Sequence, residues 1–174
     1  ATGETHVVCF PADRSVGTLV DLDRPRDKNG HLPDWWMWNG FPKSPAQEIA
    51  DARGEVRGRA GQRVGLIVTP HGPEDDLRAL RNLPSDSIEL LAFNTKSPPP
   101  GDACVASICA IRGLRTLLLE ESNISNQGLS RLTNAASLER LIIIDEDLDA
   151  TGLSQIAKIK SLEGLRIHCT IITA

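Results

Sequence analysis

The sequence has few aromatic residues and lacks the common motifs of enzymes. Its 174 residues include no tyrosine, three phenylalanines and three tryptophans. It contains no Gly-x-Ser-x-Gly elbow, no phosphate-binding glycine loop and no His-Glu-x-x-His string, each of which places a reactive group in a defined local structure. The four histidines lie far apart and outside any nucleophile motif: His6, His31, His71 and His168. We therefore predict a protein that is not an enzyme, with no catalytic residues, no metal ligands and no cofactor.

The sequence also lacks long apolar runs and a strong charge of either sign. No stretch of 18 apolar residues occurs, so we expect no membrane span. A net charge of -4 gives no general attraction for nucleic acid, and we predict no nucleic-acid partner. The first six residues have neither the charged head nor the apolar stretch of a signal peptide, and they leave the compartment open.

The four cysteines show no paired spacing. Cys9, Cys104, Cys109 and Cys169 are scattered, whereas a zinc site would need short paired intervals or nearby histidines. We interpret them as small buried apolar residues. A disulfide remains an alternative if the protein is exported.

The chain does contain a repeat. Leu114, Leu138 and Leu162 are 24 residues apart, and each begins a string with apolar residues at offsets 0, +3 and +5. Another apolar residue follows at +10, then Gly-Leu in the first two of these strings. Two earlier units, headed by Val64 and Ile88, fit the same frame. A fixed period of this length is typical of stacked structural units, none of which can bury its own leucines.

These strings resemble the leucine-rich repeat family from Val64 to the end of the chain. The resemblance implies an α/β solenoid with one strand per unit in a parallel sheet, short helices on the other side, and a binding surface rather than a reaction centre. The N-terminal strings Phe10–Leu19 and Ala52–Arg57 with Ala60–Val64 resemble a cap that precedes repeats in large bacterial proteins. There the repeats tend to be accessory modules.

We accordingly divide the chain into a small β-rich cap, residues 1–63, and a solenoid of about four and a half repeats, residues 64–174, with the last one truncated. Because that last unit stops at Ala174 without a helical half, we expect either a longer protein or a partner that covers its strand edge. The predicted cap strands are His6–Phe10 and Val16–Leu22, and a hairpin is predicted around Gly58–Gly61. Apolar residues three apart predict four helices: Glu74–Leu83, Asp102–Ile111, Asn126–Ala135 and Ala150–Ile159.

The outward positions of the predicted strands form the candidate binding surface. Their middle row starts with four apolar residues, a stripe about 15 Å long at the usual strand spacing. Contiguous exposed apolar surface usually marks a contact site, so we predict a protein partner or self-association, with Leu118 and Ile142 as anchors. The alternative is that the N-terminal residues or the tryptophans cover the stripe. The middle row is Val68, Ala92, Leu118, Ile142 and Arg166, and the predicted partner-binding residues are Val68, Leu90, Thr116, Leu118, Glu120, Arg140, Ile142, Ile144, Arg166 and His168.

Three other clusters have alternative interpretations. Trp35, Trp36 and Trp38 are either the core of the cap or a sugar-binding platform, which would make the chain a carbohydrate-binding module. The arginines around residues 53–63 are a solvated face or a phosphate site. The acidic residues of 120–121 and 145–149 are an acidic edge or a calcium site. A further alternative for the whole chain is the regulatory arm of a larger enzyme.

Overall fold

The fold is mixed α/β with a mostly parallel seven-stranded sheet. A computed structural model describes residues 5–22, 48–59, 61–68, 78, 80, 81, 83, 84, 87–93, 99–144, 148–168 and 172–173. The strands are β1 (Thr5–Cys9), β2 (Gly17–Asp21), β3 (Glu48–Asp51), β4 (Glu55–Arg59), β5 (Val64–Val68), β6 (Leu90–Phe93), β7 (Thr116–Glu120), β8 (Arg140–Ile144), β9 (Leu148–Asp149), β10 (Gly164–His168) and β11 (Ile172–Thr173).

The large sheet has the strand order β10-β8-β7-β6-β5-β2-β3. The five strands from β5 to β10 are parallel to one another, and β2 and β3 complete the sheet in antiparallel pairs. Leu117 pairs with Leu141, and Leu141 pairs with Leu165. The prediction that these three leucines align on adjacent strands is therefore confirmed.

Short helices follow three of the parallel strands. They are α1 (Asp102–Ala110), α2 (Asn126–Arg131) and α3 (Ala150–Ile156), and α2 continues into a 3₁₀ turn, Leu132–Asn134. Each lies within a predicted helix and ends one to four residues before the predicted boundary, and at the end of α2 the 3₁₀ turn accounts for most of the difference. The predicted helix Glu74–Leu83 lies largely outside the described residues.

The main core lies between the sheet and these helices. The strands contribute the residues at offsets +3 and +5, such as Leu141 and Ile143, while the helices contribute Ile108, Leu132 and Ile156. All five are buried. The same cluster includes Val8, Phe10, Val16, Leu19 and Ala52, so the N-terminal residues share the core of the later ones.

The N-terminal strands were predicted correctly, but their connection was not. β1 and β2 coincide with the predicted strands to within one residue. The predicted hairpin around Gly58–Gly61 is wrong, because β4 pairs with β1 in a separate two-stranded sheet. β5 cannot pair with β4, since its two edges already carry β2 and β6.

Candidate interaction surface

The sheet surface opposite the helices carries a second apolar cluster. Its middle row follows from the register: Ile67 pairs with Ala92, Ala92 with Leu118, and Leu118 with Ile142. Arg166 pairs with Ile142 and ends the row. We name as the face cluster the six buried residues that pack together on this side of the sheet: Val20, Leu22, Ile67, Ala92, Leu118 and Ile142.

Val68 does not belong to this row, contrary to the prediction. It is fully buried in the main core, while Ile67 occupies the outward position. Leu66 pairs with Leu91, 25 residues later, so the frame that begins at Val64 is wrong by one residue. Successive side chains of a strand point to opposite faces, so a shift of one residue moves every side chain to the other side.

The middle row is buried, so the prediction of an exposed apolar stripe on this surface is wrong. Ala92, Leu118 and Ile142 are 2%, 6% and 7% exposed, and Ile67 is 8% exposed. These values hold for the single chain, so the row is covered from within it. Val20 and Leu22, which come from the first 63 residues, belong to the same cluster. Leu118 and Ile142 are therefore interior residues that stabilise the sheet rather than exposed anchors.

The other predicted partner-binding residues surround the face cluster at intermediate or full exposure. Leu90 and Ile144 are partly buried and pack against the cluster. Thr116, Glu120 and Arg166 are partly exposed, while Arg140 and His168 are exposed. The register brings four of them together on β8 and β10, since Arg140 pairs with Gly164, Ile142 with Arg166, and Ile144 with His168. We call this group the β8–β10 rim: Arg140, Ile144, Arg166 and His168.

A polar network that was not predicted from the sequence lies at the helix starts. The Asp102 carboxylate accepts hydrogen bonds from the backbone amide (2.7 Å) and the hydroxyl (2.5 Å) of Ser125. The Ser125 hydroxyl oxygen in turn accepts from the amides of Gln127 and Gly128 and so caps α2. This network connects two successive units, because Asp102 begins the helix that precedes α2.

The same arrangement recurs one period later. The Asn126 amide donates to both carboxylate oxygens of Asp149, at 3.1 and 3.0 Å. Asp149 caps α3 by accepting from the Gly152 amide at 2.7 Å. The Gly152 hydrogen bond, followed by that of Asn126, lowers the pKa of the Asp149 carboxyl below its ordinary value, because both stabilise the ionised form.

The glycine of each Gly-Leu pair permits this contact between units. A Cβ on Gly152 would lie 2.7 Å from Oδ1 of Asn126, and one on Gly128 would lie closer still to Oδ1 of Asp102. Real Cβ atoms are not found at such distances from oxygen. An apolar side chain of the same unit is also close, with Ile124 Cγ2 2.7 Å from the added Cβ of Gly128 and Leu148 Cδ1 2.8 Å from that of Gly152. The Gly-Leu element of the repeat therefore contains glycine because side chains of two units pack against it.

A cavity of about 250 Å³ lies beside these caps, at the end of β7 and β8. Leu119, Leu129 and Ile143 form part of its apolar wall, and Ser125, Asn126 and Asp149 are among its polar groups. The Ser125 and Asp149 oxygens already accept hydrogen bonds from helix amides. The polar wall of the cavity is thus part of the helix starts.

The remaining predicted clusters are used structurally or lie outside the described residues. Arg53 donates to the carbonyl oxygen of Ala12 at 2.9 Å, Arg57 pairs with Glu55, and Arg63 pairs with Glu89 at 2.7 Å. These contacts favour the structural interpretation of the arginines over a phosphate site. The tryptophans, His31, His71 and the acidic residues 145–147 fall outside the described ranges. Within those ranges no group of three potential ligands is placed to hold a metal ion.

The three cysteines that the structure describes differ in their exposure to solvent. Cys104 is buried, as predicted, whereas Cys109 is half-buried and Cys9 is exposed. Burial raises the pKa of the Cys109 thiol above its ordinary value, because desolvation disfavours the thiolate. Cys169 lies outside the described residues.

Comparison with known proteins gives no relative: no family model, no curated protein and no solved structure matches the chain. Among the described residues, no helix has the length and apolar character needed to cross a membrane.

Proposed function

We propose that this chain is a leucine-rich repeat solenoid that serves as a non-enzymatic protein-interaction module. The observation that carries the proposal is the in-register pairing of strands whose sequences repeat every 24 residues, with Leu117, Leu141 and Leu165 on neighbouring strands. Stacked units of this kind place the side chains of successive strands next to one another, and on β8 and β10 such neighbouring side chains are exposed or partly exposed.

The β8–β10 rim is the contact region of the proposed module. Its two arginines and His168 lie around the end of the buried face cluster, on adjacent strands. Arginine side chains at the edge of an apolar surface orient a partner and raise its rate of association. The proposed partner is therefore a protein with an acidic patch. The face cluster supports the strands that display these charges and does not itself contact the partner.

The test is capture of binding proteins from an extract of the source cells on the immobilised chain. The variant Arg140→Glu/Arg166→Glu reverses the charge of the rim. The matched control, Lys158→Glu/Lys160→Glu, makes the same change of charge at two exposed lysines that follow α3. We expect the rim variant to lose proteins that the wild type and the control both retain.

Melting temperatures of the three chains exclude unfolding as the reason for a loss. Equal capture by the rim variant and the wild type would contradict the rim as the contact region. A wild-type chain that enriches no protein over an empty support would contradict the proposed function.

A further inference from the structure

The cavity at the ends of β7 and β8 combines a buried apolar floor with a polar opening. Its apolar lining consists of five side chains that are at most 9% exposed: Leu119, Ile124, Leu129, Ile143 and Leu148. Its polar lining consists of four residues that are partly or fully exposed: Ser122, Ser125, Asn126 and Asp149. This difference in exposure places the apolar side chains at the bottom and the polar ones at the opening. The cavity therefore suits a molecule with an apolar body and one polar end.

The opening of the cavity carries a negative charge. The Gly152 amide donates to the Asp149 carboxylate at 2.7 Å, and the Asn126 amide donates to its two oxygens at 3.1 and 3.0 Å. These donors are electrically neutral, so they stabilise the ionised carboxylate without cancelling its charge. In the described part of the chain no arginine, lysine or histidine forms an ion pair with Asp149. A cationic group of a ligand can therefore supply the opposite charge.

Hydrogen-bond donors at the opening are already directed to carboxylates. The Ser125 hydroxyl donates to Asp102 at 2.5 Å, and the Asn126 amide donates to Asp149. An anionic ligand would have to compete with these bonds, and it would also be repelled by the charge of Asp149. A ligand that donates hydrogen bonds and carries a positive charge meets neither obstacle.

We propose that the cavity binds a small organic ammonium ion, whose cationic end lies against Asp149 and whose apolar body lies on the floor. The cavity volume of about 250 Å³ sets the size of that body. A cavity of about 150 Å³ lined by apolar side chains holds benzene, so a body of about six carbon atoms fits. Drug-sized ligands occupy pockets of about 300–1,000 Å³ and are too large.

This ligand site is separate from the contact region proposed for a partner protein. None of the four residues of the β8–β10 rim lines the cavity. Ile143, on the cavity floor, directly precedes the rim residue Ile144 in β8, and successive side chains of a strand point to opposite faces. The cavity therefore lies on the helix side of the sheet, and the rim lies on the other side.

Isothermal titration calorimetry of the purified wild-type chain tests the site with three ligands at neutral pH, where alkylamines are protonated. Hexylammonium carries the cationic end and the full apolar body, 1-hexanol lacks the charge, and butylammonium has a shorter body. We expect hexylammonium to bind saturably at one site per chain. Its affinity should be roughly tenfold or more above that of 1-hexanol, which forms no charged hydrogen bond. It should be about 15-fold above that of butylammonium, at about fourfold for each buried CH₂ group.

The variant Asp149→Asn removes the charge and keeps an oxygen that can cap α3, since asparagine and aspartate are similarly good N-cap residues. The matched control Asp13→Asn makes the same change at an exposed aspartate that does not line the cavity. We expect Asp149→Asn to bind hexylammonium no more tightly than the wild type binds 1-hexanol, and Asp13→Asn to bind it like the wild type. Urea unfolding shows whether each variant is folded.

Absence of saturable binding of hexylammonium to the wild type at millimolar concentrations would overturn the proposal. Equal affinities for hexylammonium and either of the other two ligands, or unchanged binding by a folded Asp149→Asn chain, would also overturn it. The comparison of the three ligands uses the wild type and stays decisive if Asp149→Asn does not fold. The purified chain is titrated alone, so failure of this proposal is distinguishable from failure of the proposed partner binding, which is measured by capture of other proteins.

Discussion

The substitution Leu141→Ala measures how strongly one row of leucines stabilises the fold. Leu141 lies at the centre of the parallel sheet, between Leu117 and Leu165, and is fully buried. Removing its side-chain atoms leaves a cavity in the main core, which typically costs about 2–5 kcal/mol of the free energy of unfolding. For a chain of this length, each kcal/mol corresponds to roughly 2–4 °C in melting temperature. We therefore expect a decrease of about 4–20 °C.

The control is Leu165→Ala, the same change at the same repeat position one strand further. Leu165 is already 46% exposed, so its truncation leaves no closed cavity and removes less buried area. We expect a cost of about 1 kcal/mol or less, from the smaller transfer term alone. Both variants are compared with the wild type by thermal and urea unfolding, at a concentration where sedimentation shows single chains. Equal costs for the two variants, or a cost below about 1 kcal/mol for Leu141→Ala, would refute the proposed alignment of the core.

Two further substitutions test the glycine contacts and the face cluster. Gly152→Ala should lower the free energy of unfolding in urea by about 1–3 kcal/mol, because the new Cβ overlaps a side chain of the neighbouring unit. The control Gly164→Ala has space for a Cβ and should change the free energy of unfolding by less than about 1 kcal/mol. A larger loss for Gly164→Ala than for Gly152→Ala would contradict the close packing between units. Leu118→Asp should unfold the chain or lower its melting temperature more than any variant above, since it places an unpaired charge in a buried cluster. Arg140→Asp, on the same sheet surface but exposed, should melt close to the wild type; a folded Leu118→Asp chain with unchanged stability would show that the face cluster is open to solvent.

The strand register of the later repeats could be predicted because their apolar residues recur at fixed offsets. Leu117, Leu141 and Leu165 stand at the same offset in units of equal length, and equal spacing leaves one in-register alignment. The first unit has no such internal check. In the run from Val64 to Val68 four of the five residues are apolar, so alternation cannot show which side chains face the core. The pairing of Leu66 with Leu91 resolves it, and it requires a spacing of 25.

A pattern in the sequence indicates that the residues of the face cluster are buried. Leu117–Leu119 and Leu141–Ile144 are continuous apolar runs, which are typical of parallel strands covered on both faces rather than one. The prediction of an exposed stripe gave more weight to the binding surfaces of the resembled family than to this local pattern. The hydrogen-bond network at the helix starts could not be predicted from the sequence in the same way. Asp102 and Ser125 are 23 residues apart, and their contact depends on how tightly two units stack.

The close approach of Asp102 to Gly128, and of Asn126 to Gly152, makes the composition of one unit of the repeat depend on the unit before it. In both cases the polar residue precedes the glycine by 26 positions, two more than the period of the repeat. A larger residue at either glycine would require both the polar side chain of the previous unit and the apolar side chain of its own unit, Ile124 or Leu148, to move or to become smaller. A unit moved, duplicated or deleted as a whole would keep its place only if its new neighbour supplied the missing half of the contact.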